Sequence, residues 1–261
     1  LAHLALGGSA PLLWGVEAEQ AGQYQLDLHV ESRALPNCLF SIPVSVAAVP
    51  PDPSTLGSGR GVRTMASGDV VLEDETYRLV AVRSPHGYGQ AILYGRSAAE
   101  WKRLAVLPPA SLIVQHQGDW EQIALTPTEA VLLSDAAGPG VVLEGSCRDR
   151  AGTSWVFRLT YEIGDFTNGF RIVYETCPEQ SAKLLSFIGP QLLVGEGSFG
   201  QAKAGALFPG LEWLTAEEHS SSTLDAHPPI HLRVAPHPLK VTIPQMAVLA
   251  EGYLVGLMWE P

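Results

Sequence analysis

The chain has 261 residues, 46% of them hydrophobic, enough to bury one large β domain or two smaller ones and to rule out disorder of the whole. Sixteen basic against 27 acidic side chains leave a net charge of −11, with no run of Lys or Arg. That balance excludes nucleic acid and anionic membrane as partners and is compatible with a neutral ligand. The sequence opens on Leu1, as expected of a processed or truncated chain, and the apolar opening LAHLALGGSAPLLWGV lacks the cationic start of a signal peptide. No uncharged apolar run reaches the length of a membrane span, so a soluble chain is expected.

In chain order, Tyr24 to Glu31 alternates apolar and polar residues with period two, as does Leu39 to Val46 around Pro43, and both are expected to be strands. Val49-Pro50-Pro51-Asp52-Pro53-Ser54-Thr55-Leu56-Gly57-Ser58-Gly59 has the composition of a linker. Three segments follow: an N-terminal β segment over residues 1–48, a linker over 49–64 and a main body over 65–261. Strands are then expected at Val70–Leu72, Tyr77–Val82, Leu112–His116, Gln122–Leu125 and Ala130–Ser134, with a glycine-rich turn around Pro85 to Gly89.

The clearest unit is a three-strand meander over Val141–Cys147, Ser154–Ile163 and Phe170–Cys177. In its middle strand Trp155, Phe157, Leu159 and Tyr161 share one face, while Arg158, Thr160 and Glu162 take the other. Helix is expected only at Ser97–Leu107 and, for a turn or two, at Leu211–Glu218. The expected fold is therefore all-β, a large antiparallel sandwich.

Cys38, Cys147 and Cys177 share no metal-ligand spacing. Two of them lie on the first and third strands of the meander, two strand spacings or roughly 9.5 Å apart, beyond disulfide reach. Free thiols are expected, and no metal or other cofactor is called for. Serine-hydrolase, nucleotide-loop, dinucleotide and zinc-protease motifs are absent.

Leu207–Trp259 crowds four of the eight histidines and six prolines into a run ending in two short apolar strands. Backbone with that many fixed φ angles holds side chains in place along a rim. The candidate ligand contacts there are His219, Asp225, His227, His231, Arg233 and His237. Pro228 and Pro229 between His227 and His231 prevent a helix from aligning the two. Flat aromatic faces stack on sugar C–H groups, and of the six tryptophans Trp120 and Trp213 are the two expected to meet solvent, with Trp155 in the core. Glu212 and Asp225 are carboxylates of the type that glycoside hydrolysis pairs across a bond.

Leu207-Phe208-Pro209-Gly210-Leu211-Glu212, Ser220-Ser221-Ser222, Pro236 to Lys240, Val241-Thr242-Ile243-Pro244 and the closing hairpin carry a resemblance. With the strand-rich 65–206, they resemble the large β-supersandwich of galactose-mutarotase-like proteins. The similarity is to the version that precedes an (α/α) toroid in glucoamylase-like carbohydrate-active enzymes. Residues 10–47 resemble the closing strands of an immunoglobulin-like module.

The resemblance implies a carbohydrate-binding or scaffolding module of a larger, glycoside hydrolase-like protein. Its partner would be a C-terminal helical domain or neighbouring subunit that carries the catalytic carboxylates, and an extracellular or cell-surface setting is slightly favoured. Two alternatives stay open. One is a self-contained sugar epimerase, mutarotase or lyase with a His/Glu pair drawn from His86, His116 and Glu212. The other is a structural surface or filament subunit whose N-terminal strands complete a neighbour's sheet.

Overall fold

The computed structural model describes residues 22–30, 38–46, 53–56, 59–97, 100–116, 119–135, 138–163, 169–195, 203–209, 212–216, 243–250 and 252–260. Two compact units hold them, one within Gln20–Glu196 and the other within Gly197–Pro261. The described residues are all-β: nineteen strands in antiparallel sheets, one 3-10 turn and no α-helix. The candidate contacts His219, Asp225, His227, His231, Arg233 and His237 lie outside the described residues.

The first unit begins with a hairpin, β1 (Gly22–Val30) on β2 (Cys38–Val46), in register from Gly22 opposite Val46 to Val30 opposite Cys38. A 3-10 turn at Pro53–Leu56 precedes β3 (Gly61–Thr64), so part of the segment with linker composition is regular structure. Then come β4 (Val70–Glu73), β5 (Tyr77–Ser84), β6 (Gly87–Ser97), β7 (Glu100–Leu107), β8 (Ser111–His116), β9 (Asp119–Ala124) and β10 (Glu129–Asp135). The meander follows as β11 (Gly138–Arg148), β12 (Ser154–Glu162) and β13 (Arg171–Pro178), and the unit ends with β14 (Lys183–Ile188) and β15 (Leu193–Val194).

These strands build a six-stranded sheet ordered β15-β7-β6-β5-β4-β3, a four-stranded sheet β10-β11-β12-β13 and a three-stranded sheet β14-β8-β9. Alternation along β12 explains how they stack. Leu159 and Tyr161 pack with Leu72, Leu79 and Ala91 of the six-stranded sheet, whereas Trp155 and Phe157 pack with Leu112, Val114 and Ile123 of the three-stranded one. One inward-facing row thus serves two opposing sheets, a sandwich whose second layer is split. Removing that much apolar surface from water is the main stabilising term, at about 25 cal/mol per Å².

The other face of the six-stranded sheet is buried too. Val71, Val80, Ile92 and Tyr94 cluster there with Leu56 of the 3-10 turn. Among them Arg78 and Glu73 are buried as an ion pair, with Arg78 Nε donating to Glu73 Oε2 at 3.0 Å and Nη1 donating to the Pro53 carbonyl at 2.7 Å. Arg63 Nη2 reaches the same Glu73 oxygen at 2.6 Å and the Leu56 carbonyl at 2.8 Å. Paired charges therefore hold the 3-10 turn against the sheet.

The second unit is a four-stranded sheet ordered β17-β16-β18-β19, from β16 (Lys203–Phe208), β17 (Glu212–Thr215), β18 (Gln245–Ala250) and β19 (Tyr253–Met258). The two apolar strands expected at the end of the chain are β18 and β19.

Both helical expectations are corrected. Ser97–Leu107 is mostly β7, paired antiparallel with β6, and Leu211–Glu218 contains β17, paired with β16. β7 lies between β6 and β15 and buries residues of both parities at its end, Leu104, Ala105 and Leu107. Its sequence therefore lacks the period-two signal. In β17 the pairing with β16 overrides a weak local preference.

Candidate functional site

Among the described residues each unit presents a surface with chemistry. In the first, the inward face of β8 and β9 ends at a mouth where the apolar row Leu112, Val114 gives way to His116, and Ile123 gives way to Glu121. His116 Nε2 stands 3.1 Å from Glu121 Oε2. The same carboxylate oxygen accepts the Arg150 backbone N–H at 2.8 Å, so Glu121 joins the β8–β9 hairpin to the β11–β12 turn.

That turn is built by Asp149. Gly152, at φ +87°, donates its N–H to the Asp149 carbonyl at 2.9 Å, a backbone conformation that glycine adopts without strain. Asp149 Oδ1 accepts the Thr153 N–H at 2.9 Å, and Oδ2 accepts the Trp155 indole N–H at 3.1 Å. Burial alone would raise the Asp149 carboxyl. The Trp155 and Thr153 bonds and the nearby His116 outweigh it and hold the group below the ordinary carboxylate value. Burial, followed by Asp149 and Glu121, pushes the neighbouring Cys147 thiol up to about 11.

Beside this network lies a cleft of about 420 Å³ lined by His116, Asp149, Arg150, Thr153, Ser181 and Lys183 among others. It offers donors and acceptors of both signs to a small polar ligand. Trp120 is 59% exposed but lies on the opposite face of β9 from Glu121, so it does not line the cleft. His86 is exposed in the β5–β6 turn, its backbone N–H donating to Ser84 Oγ at 3.2 Å.

The second unit carries Trp213. Its neighbours follow from register: Trp213 opposes Leu207, Leu207 opposes Ala247, and Ala247 opposes Gly256, one row across the sheet. The next row on that face runs Thr215, Gly205, Leu249, Leu254. The six-membered ring of Trp213 leans over Gly205, where an added Cβ would stand 2.6 Å from its Cζ2. Glycine at 205 is what lets the indole lie down on the sheet, and 53% of Trp213 remains exposed. Glu212 opens the same strand, paired with Phe208.

Thus His116 meets a carboxylate, as an acid–base pair requires, but that carboxylate is Glu121 from the adjacent strand. Glu121 and Asp149 carry no motif. Their only trace in sequence is position: Glu121 shares the parity of Ile123, and Asp149 precedes an Ala-Gly turn. Among the described residues no three or more His, Cys, Asp or Glu gather in a way that could hold a metal ion, and no helix is long and apolar enough to cross a membrane. The chain matches no protein-family model, no curated protein and no solved structure.

Proposed function

We propose that the chain is a carbohydrate-binding β-sandwich module of a larger carbohydrate-active protein, with Trp213 as its stacking platform. The observation that carries this reading is the indole laid over Gly205 with its outer part in water. A pyranose presents C–H groups on one face and hydroxyls around its rim, and the former stack on an aromatic face. Beyond Leu207, Ala247 and Gly256 keep the same row of the sheet low, and Gln245 and Thr215 lie at the margins of the same face for hydroxyl contacts. A net charge of −11 favours neutral over acidic sugars. Catalytic carboxylates would then belong to a helical partner domain or subunit.

Titration calorimetry with a panel of neutral oligosaccharides, followed in parallel by tryptophan fluorescence, tests the reading. Binding heat is expected from the native chain and a loss of at least about tenfold in affinity, or about 1.4 kcal/mol, from Trp213→Ala. Gly205→Val, which props the ring off the sheet, is expected to weaken binding in the same direction. Silence from the whole panel, or equal binding by Trp213→Ala, removes the proposal.

A second reading, a self-contained sugar epimerase or mutarotase, is favoured by the 3.1 Å His116–Glu121 pair at the cleft. Anomer interconversion followed by NMR separates the two. Acceleration over buffer that His116→Gln abolishes supports the enzyme, and no acceleration leaves the binding module.

A further inference from the structure

Trp120 is an exposed indole that the Trp213 platform leaves unused, and it belongs to the first unit. The face it stands on follows from register. Lys183 of β14 opposes Gln115 of β8, and Gln115 opposes Trp120 of β9, one row across the three-stranded sheet. The next row runs Ser186, Ile113, Gln122. Residues directly opposite in an antiparallel ladder share a face, and the reverse face carries Leu112, Val114 and Ile123 into the core. Both rows therefore look outward. Trp120 is 59% exposed, and Gln122, Lys183 and Ser186 are exposed with it.

The side chains around this indole are polar. Gln122 Nε2 donates to Ser111 Oγ at 2.9 Å, which fixes the amide on the sheet and leaves its oxygen as an acceptor. Gln115 Oε1 is a buried acceptor with no hydrogen-bond partner. Lys183 adds N–H donors and is the only charged residue at the outward positions of β8, β9 and β14. An apolar partner laid on this face would take the amides and the ammonium out of water unpaired. An anionic partner would meet the −11 of the chain. A neutral molecule with a C–H face and a rim of hydroxyls matches the indole and the polar groups at once.

We infer that this face is a second carbohydrate site, where a neutral pyranose stacks on Trp120 and sets its hydroxyls against Gln115, Gln122 and Lys183. The inference rests on the carbohydrate reading of the chain but not on Trp213. It is also separate from the cleft, since Glu121 and His116 occupy the reverse face of the same strands. Trp120 and Lys183 stand two strand spacings or roughly 9.5 Å apart. A row of that width runs past one stacked ring, so the ligand class is an oligosaccharide.

Amide-detected NMR of the full chain, titrated with cellotetraose, xylotetraose and maltotetraose, tests this. At least one probe is expected to shift the Trp120 indole N–H together with the side-chain amides of Gln115 and Gln122. Trp120→Ala is expected to weaken that binding by at least about tenfold, and Lys183→Ala by at least about threefold. Trp120→Tyr keeps an aromatic face and is expected to bind more tightly than Trp120→Ala. Far-UV circular dichroism monitors the fold, and Lys183→Ala carries the test if Trp120→Ala does not fold. Shifts confined to the Trp213 face overturn this inference and leave the first reading standing, whereas shifts confined to the Trp120 face support it and remove Trp213. Silence at both faces from every probe overturns both. Binding unchanged by Trp120→Ala or by Lys183→Ala, or a tyrosine variant no tighter than the alanine, also overturns the inference.

Discussion

The Trp155 indole N–H donates to Asp149 Oδ2 at 3.1 Å, and this bond ties the largest buried side chain of the sandwich to the turn that borders its cleft. Trp155 sits at the end of the inward row of β12, against Leu112, Val114 and Ile123. A carboxylate that spends both oxygens on N–H donors is a structural group, and it sets where Arg150 and Thr153 stand around the cleft.

Asp149→Asn is therefore expected to destabilise the fold by about 1–3 kcal/mol near neutral pH, because an amide group then faces an N–H donor. The folded pKa of Asp149 is depressed, so its contribution is present above the unfolded value of about 3.9 and is lost as pH falls through the folded value. Urea unfolding between neutral pH and pH 3 checks this. The native chain should lose stability more steeply on acidification than Asp149→Asn, and parallel curves would contradict the assignment.

Glu73 holds Arg78 and Arg63 on one carboxylate oxygen, with Arg78 fully buried. Burial lowers the Arg78 pKa and Glu73 opposes that, yet a guanidinium stays charged in any protein. Glu73→Gln leaves that charge without its counter-ion and is expected to cost about 3–5 kcal/mol, read as a lower urea midpoint at unchanged slope. The Glu73→Leu/Arg78→Met double variant should lose less than Glu73→Gln, since it removes the fully buried charge and leaves only the partly exposed Arg63 without a carboxylate. A double variant worse than the single one would refute this account.

Cys147 is half-buried with a thiol pushed up to about 11, whereas Cys177 is exposed on β13. Thiolate is the reacting species, so alkylation by iodoacetamide at pH 8 should mark Cys177 well before Cys147 in the folded chain. Peptide mass mapping at timed intervals reads both sites, and the rates should converge in denaturant. Equal rates in the folded protein would show that the thiol is not protected.

The meander was legible chiefly through the alternation of its middle strand, although Thr160 on the face expected to be wet is buried as well. Trp155, Phe157, Leu159 and Tyr161 alternate with Val156, Arg158, Thr160 and Glu162, and the structure buries the first set. β6 was harder to read: Gly87 and Gly89 at its start have the appearance of a turn, although the strand runs on to Ser97. β14 was not legible, since a register shift between Leu184 and Ser186 breaks its alternation. Of the candidate contacts, the exposure of Trp120 and Trp213 was anticipated. The partner of His116 was not, because Glu121 reaches it across a strand pair.

Local alternation in the sequence determines that this chain is all-β and which face of β12 is dry, because a strand's side-chain period of two is written in consecutive residues. Tertiary pairing alone decides that one row of β12 faces two sheets, that Glu121 lies against His116, and that the Trp213 indole has a glycine beneath it. Those relationships join strands through register, and register depends on which distant segments share a core.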